Sequence, residues 1–203
     1  MNDSTLHGQW FIRYRDQGDV QAFERVMEVY HQPLYNYIYR LMQNREEAED
    51  ALQEVWCKVI RQRHTYQDQG KLSSWLYRIA HNHCLDQFRR RGIRTEGHEL
   101  IETDADFSVL DIIPSGDPTP ADWLYEQEIM QKVERALEQM PVLIRDVYIM
   151  RSMQDIPFKE IAEIQQAPLG TVLSRMHQAL KYLKQALQTE DQSENQTESI
   201  QTA

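Results

Sequence analysis

Apolar residues recur at intervals of three and four along most of this chain, and no stretch shows the alternation of a half-buried strand. A short helical start is expected over residues 9–17, QWFIRYRDQ. Gly18-Asp19 breaks it, and Asp19 is a good N-cap for the next helix. Phe23, Val26, Met27, Tyr30, Leu34, Tyr37, Ile38 and Leu41 mark that helix from about Val20 to Met42, which Pro33 should bend or split. The rings of Tyr30, Tyr35, Tyr37 and Tyr39 suit packing better than a stacking platform. Asn44, with Glu47 three residues on, resembles a capping box. It opens a helix to about Arg63 whose inner face is Ala48, Leu52, Val55, Trp56 and Val59. His64 to Lys71 is a polar loop. Leu72 to Arg91 returns to helix, with Trp75, Leu76, Ile79, His83 or Cys84, and Phe88 turned inward.

The periodicity then lapses. Residues 92–119 are rich in Gly, Asp, Ser and Pro, with one apolar cluster, Phe107 to Ile113, too short for a domain and suited to docking on a partner. Thr119-Pro120-Ala121-Asp122 restarts a helix to about Gln139, which Met140-Pro141 breaks. Val142 to Met150 gives a short helix. Phe158 to Ile164 gives another, with a turn after it at Gln165–Ala167. Pro168, suited to a first helical position, then begins a long helix to Leu187. Val172, Met176, Ala179, Leu180, Leu183 and Leu187 make its apolar stripe, and Thr171, Ser174, Arg175, Gln178 and Lys181 its polar face. Two helices across such a turn fit a helix-turn-helix, whose polar face meets base edges and phosphates. An ordinary αα-hairpin with a solvated face fits the spacing equally well. The expected fold is all-α: one small helical domain over 1–91, a flexible acidic linker over 92–119, a second helical domain over 120–187, and a disordered acidic tail over 188–203.

Charge sharpens this division. The net charge of −10 over 203 residues argues at first against a nucleic-acid partner. Residues 92–125, however, hold eight acids against Arg94 alone, and 188–203 hold four acids and no base. The remainder is nearly neutral, with locally basic ends. Only Cys57 and Cys84 occur, so no disulfide framework is expected, as suits a reducing compartment. No apolar run approaches the roughly 18 residues needed to span a bilayer, and the first residues do not read as a signal peptide. A cytoplasmic protein without membrane insertion is expected.

The candidate chemistry is binding rather than catalysis. Glu47, Asp50, Gln53, Glu54 and Lys58 lie on the outer faces of the third helix, either as a solvated surface or as a dock for a basic partner helix. Arg78, Asn82, Arg89, Arg90 and Arg91, interleaved with Tyr66, Trp75 and Tyr77, have the character that single-stranded nucleic acid requires: cations for phosphates and rings for bases. An Arg-rich helix end that only complements its dipole is the plainer alternative. His81-Asn82-His83-Cys84 does not make a metal site, because neighbouring helical side chains diverge. No phosphate-binding glycine loop or nucleophile elbow occurs.

Four segments in order carry a resemblance: AEDALQEVWCKVIRQ (48–62), SSWLYRIAHNHCLDQFRRR (73–91), ALEQMPVLIRDVYIMR (136–151) and IPFKEIAEIQQAPLGTVLSRMHQALKYL (156–183). They resemble regions 2.2, 2.3–2.4, 4.1 and 4.2 of the extracytoplasmic-function (ECF) group of bacterial sigma factors. The resemblance implies a dissociable initiation subunit, not an enzyme and needing no cofactor, that brings RNA polymerase to −10 and −35 promoter elements and helps open the duplex. It implies that Asp50, Gln53 and Glu54, flanked by Glu47 and Lys58, face the clamp helices of the largest polymerase subunit. It implies −10 contacts from Tyr66, Lys71, Ser74, Trp75, Arg78 and Asn82, with Arg89, Arg90 and Arg91 on phosphates. The His64–Lys71 loop matches the segment that holds a flipped base. Lys159, Thr171, Ser174, Arg175, Gln178 and Lys181 would serve the −35 element. Implied partners are core polymerase, including its flap, promoter DNA and an anti-sigma factor. A plain DNA-binding regulator and a protein that sequesters a basic partner are the competing classes. The region 2.2 match speaks against the first and the basic, aromatic-laced helix 73–91 against the second.

The chain departs from the family at three places. Gln166 stands where the turn usually has Gly, and a left-handed residue there costs Gln about 1 kcal/mol. Leu173 stands where Lys or Arg is frequent, and Pro157 replaces a Ser-type cap. The linker is long enough for its implied task. Elements about 25 base pairs apart lie roughly 85 Å apart, and 28 extended residues reach about 90 Å. Its acidity would imitate a phosphate backbone in polymerase channels, and the acidic tail would compete with DNA for the chain's basic faces.

Overall fold

The computed structural model describes residues 3–67, 70–93 and 120–201, with side chains described within 5–93 and 130–187. The expectations for the linker, with its apolar cluster and the Thr119 cap, lie outside the described residues. What is described is helical: α1 (Asp3–Gln17), α2 (Val20–Met42), α3 (Arg45–Gln62), α4 (Leu72–Arg90), α5 (Pro120–Gln139), α6 (Val142–Tyr148), α7 (Phe158–Gln165) and α8 (Leu169–Gln201). The all-α expectation holds.

Local chemistry sets the element ends. The Asp19 carboxylate accepts the Ala22 amide at 3.1 Å and starts α2. Gln43, left-handed at φ 57°, ends α2 by donating its amide to the Tyr39 carbonyl. Asn44 Oδ1 accepts the Glu47 amide at 3.1 Å and starts α3, while one oxygen of Glu47 meets Arg91 instead of closing a box. Pro33 does not split α2. Val29, four residues earlier, is exposed, so the carbonyl that loses its amide partner stays open to water.

In the second half, α6 runs into a π-helical turn over Ile149–Met153. The helix α7 ends at Gln166, with φ 51° and ψ 42°, its amide donating to the Ala162 carbonyl. The left-handed turn residue expected from the sequence is therefore present. Gln166→Gly should stabilise the chain by about 1 kcal/mol, read as a higher urea midpoint at unchanged slope. Pro168 lies just outside α8 and gives its carbonyl to the Thr171 and Val172 amides at 3.0 and 3.2 Å. The helix does not end at Leu187, as the apolar stripe suggested, but continues to Gln201. Between 188 and 201 there is no Gly or Pro to stop it, and Glu and Gln are good helix formers.

Helices α1–α4 bury Phe11, Val26, Leu34, Ile38, Leu41, Val55, Val59, Leu76 and Cys84. Helices α5–α8 bury Leu137, Met140, Val147, Ile149, Met150, Ile161, Ile164, Val172 and Met176. These two groups share one continuous core, because α4 lies along α7 and α2 meets α6 and the π-helical turn. Cys57 is exposed and Cys84 buried, both as free thiols. Burial pushes the Cys84 thiol well above its ordinary range, which leaves it inert. No described helix is long and apolar enough to cross a membrane.

Candidate nucleic-acid and polymerase interface

The outer side of α3 is open. Ala48, Ala51, Leu52, Val55, Trp56 and Val59 face the core, which turns Asp50, Gln53 and Glu54 to solvent. Glu47 and Lys58 are half-buried at its margins. Glu47 Oε2 is 2.5 Å from Arg91 Nη1, so the acidic face of α3 is tied to the basic end of α4. Both side chains are about a third exposed, and solvent screening keeps this pair's contribution to stability small.

Along α4 the expected −10 residues divide. Arg78, Asn82, Arg89, Arg90 and Arg91 are exposed. Arg89 lies 3.7 Å from Asp86. Tyr66 is buried, its ring edge-on to Phe11 at 5.3 Å and 5.4 Å from Trp75. Trp75 is half-buried against the same Phe11. These rings, whose chemistry suits stacking on bases, pack here against Phe11 and each other as an aromatic wedge. Arg15 Nη1 donates to the Tyr66 carbonyl at 2.6 Å and fixes the loop from below. Thr65, Tyr66, Lys71, Ser74, Trp75 and Arg78 line a cleft of about 230 Å³ whose opposite wall is Glu163 and Ile164. That is below the roughly 300 Å³ at which drug-sized pockets begin, a scale that suits one planar group.

Two of these polar side chains already have partners from α7. The Ser74 hydroxyl donates to Glu160, and Lys71 Nζ lies 3.1 and 3.2 Å from the two oxygens of Glu163. Beyond them Tyr77 donates to Gln154 Oε1 at 2.5 Å. The junction is centred on Asp146, which is fully buried. Its Oδ1 accepts the Tyr37 hydroxyl at 2.7 Å, and its Oδ2 accepts Gln165 Nε2 at 2.5 Å. His81 Nδ1 stands 2.9 Å from Oδ2, at an angle outside that of a directed hydrogen bond. Burial first, then the Asp146 charge, hold the Tyr37 phenol well above its ordinary range, so it stays a donor. Arg145 next door is buried too and donates to the Leu41 and Met140 carbonyls, both at 3.2 Å. These lie where α2 and α5 end, where helix carbonyls gather negative partial charge.

Of the expected −35 residues, Lys159 and Lys181 are exposed, and Thr171, Ser174 and Gln178 are half-exposed along α8. Arg175 is turned partly inward, donating to Gln165 Oε1 at 2.7 Å. Leu169 and Leu173 add an apolar pair to the exposed side of the same helix.

The helices that carry these faces match two family models, Sigma-70 region 2 over residues 26–93 and Sigma-70 region 4 over residues 130–183. Together they span more than half of the chain. It belongs to the ECF sigma factors. Its relatives include the RNA polymerase sigma-H factor of Pseudomonas aeruginosa, 28% identical over 89% of this chain and 93% of that one. The ECF RNA polymerase sigma factor SigW of Bacillus subtilis is 27% identical, over 87% of this chain and 94% of its own. In fold, the chain is similar to the sigma factor RpoE of Bartonella quintana, solved with the anti-sigma factor NepR (TM-score 0.60, 20% identity, 82% of this chain and 96% of that one). It is also similar to CnrH, solved with the cytosolic domain of CnrY (TM-score 0.61, 14% identity, 93% and 99%). As a sigma factor the chain is an initiation subunit of RNA polymerase and not an enzyme.

Sequence reasoning missed the residues that join the two halves of this sigma factor: Tyr37, His81, Asp146, Gln154, Glu160, Glu163 and Gln165. One sign was present. Arg145 and Asp146 interrupt the run VLIRDVYIM at positions that α6 buries entirely, and a buried charge requires partners from somewhere.

Proposed function

We propose that this sigma factor docks on core polymerase through the outer face of α3 and reads the −10 element along α4 and the loop before it. The −35 element is read with α7 and α8. Residues 1–91 form the first unit, 92–119 the connection and 120–187 the second unit, and the protein works in the cytoplasm under an anti-sigma factor. The docking assignment is carried by one observation. Asp50, Gln53 and Glu54 form an open polar strip on a helix whose other side is wholly committed to the core. An acidic strip of this kind steers and registers a basic helix pair more than it supplies raw affinity. The −10 assignment is supported by the exposed series Arg78, Asn82, Arg89, Arg90 and Arg91 beside a cleft on the scale of one base. The −35 assignment is supported by the polar edge of α8 at the start of a helix-turn-helix recognition helix.

The experiment is binding of labelled protein to bacterial core polymerase beside an Asp50→Lys/Glu54→Lys variant. Both side chains are exposed, so the variant should fold as the parent does. Its affinity for core should fall at least about tenfold, mostly through slower association, with a weaker dependence on salt. A variant that binds core as the parent does would place the dock elsewhere.

A further inference from the structure

Two leucines stand in the open at the start of α8, the second helix of the helix-turn-helix. Leu169 and Leu173 are 39% and 45% exposed and lie four residues apart, on one edge of the helix. Neither belongs to the core, which takes Val172, Met176, Ala179 and Leu183 from this helix. One exposed leucine needs no explanation, but two at this spacing make a continuous apolar edge. Gly170, between them in sequence, adds a second sign. It is helical, has no left-handed backbone, and nothing in the fold lies within 4 Å of where its Cβ would stand. A glycine weakens a helix, and no neighbour within the chain requires this one. It leaves the surface bare for something that approaches closely from outside.

The charge around the pair says what that is. From Leu169 to Leu187, α8 carries Arg175, Lys181 and Lys184 and no acid, in a chain whose net charge is −10. An apolar groove in a partner protein has no need of that bias, whereas a polyanion does. A helix-turn-helix sets the first turns of its second helix against base edges in the major groove. The one methyl group that the four bases show there is the 5-methyl of thymine. We propose that Leu169 and Leu173 read thymine methyl groups in the −35 element, where a lysine or arginine would take phosphate instead. The proposal rests on the −35 assignment above and adds its base preference. A methyl buried against a leucine is worth about fourfold in affinity. Cytosine offers no methyl and gains nothing. A leucine makes no directed bond, so the pair favours thymine at one or two positions without excluding the other bases.

The test uses the full chain bound to core polymerase. Duplexes randomised around −35 and −10 are enriched on this complex. Each thymine of the enriched −35 segment, on either strand, is then replaced singly by deoxyuridine, which pairs alike and lacks only the methyl. Competition binding should show a loss of about three- to fivefold at one or two of these positions. In Leu169→Ala/Leu173→Ala the same replacements should make no difference, because the methyl has lost what it touched. Both side chains are exposed, so this variant should fold as the parent does. Leu173→Lys should give up one thymine position and steepen the slope of log K against log salt by about 0.9. An enriched −35 segment without thymine, or one whose thymines all become deoxyuridine without loss, would overturn thymine reading. So would equal losses in the parent and the double-alanine variant. Alanines that weaken binding to core itself and leave the thymine preference intact would assign the pair to a contact with polymerase, which overturns it as well. A parent that enriches no −35 sequence at all defeats the −35 assignment, a failure distinct from loss of the thymine preference alone.

Discussion

Asp146→Ala should destabilise the free sigma factor by about 3–5 kcal/mol, more than the loss of any one hydrogen bond would suggest. Asp146 has no exposed surface, and its two oxygens serve Tyr37, Gln165 and the neighbourhood of His81. Truncation removes the acceptor and leaves the donors buried. Each unsatisfied group costs about 1–3 kcal/mol in lost hydration, and nothing polar replaces the carboxylate. For a chain of this size the melting temperature should fall by roughly 6–20 °C. Asp146→Asn keeps one oxygen for Tyr37 and should lose less. Tyr37→Phe removes only the donor and should cost about 1 kcal/mol. A double-mutant cycle between Tyr37→Phe and Asp146→Asn should then show a coupling of about 0.5 kcal/mol or more, as for residues in one network. Urea unfolding checks all four chains. An Asp146→Ala protein within about 1 kcal/mol of the parent would mean that the junction does not form in solution.

The second large effect is expected at the other end of α4. Arg89, Arg90 and Arg91 are exposed, consecutive and at a helix C-terminus, where their charge also complements the dipole. Each phosphate they neutralise steepens the salt dependence of binding by about 0.7 for single strands and 0.9 for duplex DNA. Replacing all three with Gln should therefore make the slope of log K against log salt shallower by about 2–3. At physiological salt that corresponds to about a hundredfold loss of promoter affinity by the polymerase-bound protein. The three are not equivalent. Arg91 must first release Glu47, 2.5 Å away, so Arg91→Gln alone should lose less than Arg90→Gln. A triple variant with an unchanged slope would remove these arginines from the DNA path.

Helices with one buried stripe were legible to within a few residues, because a period near 3.6 needs no knowledge of the partner. The ends of α2 and α3 were legible from Asp19 and Asn44, and the left-handed Gln166 from its place in a tight turn. What depended on the rest of the molecule was not. Tyr66 and Trp75 have the right chemistry for a base, but their local sequence does not say that Phe11, more than fifty residues away, sits against both. The extension of α8 past Leu187 was hidden because acidic composition suggests disorder, while nothing in those residues breaks a helix. The contact between the two halves joins Tyr37 to Asp146, 109 residues apart. No periodicity carries that distance. Only the incongruous Arg145-Asp146 pair hinted at it. Exposure is what a dock and an idle surface have in common, so only binding measurements would separate the two for α3 and α8.

Arg175 belongs to two allegiances. It holds Gln165, and Gln165 in turn holds Asp146. A base contact made by Arg175 would have to be taken out of that chain of bonds, so the proposed −35 reading and the joining of the two halves draw on one side chain.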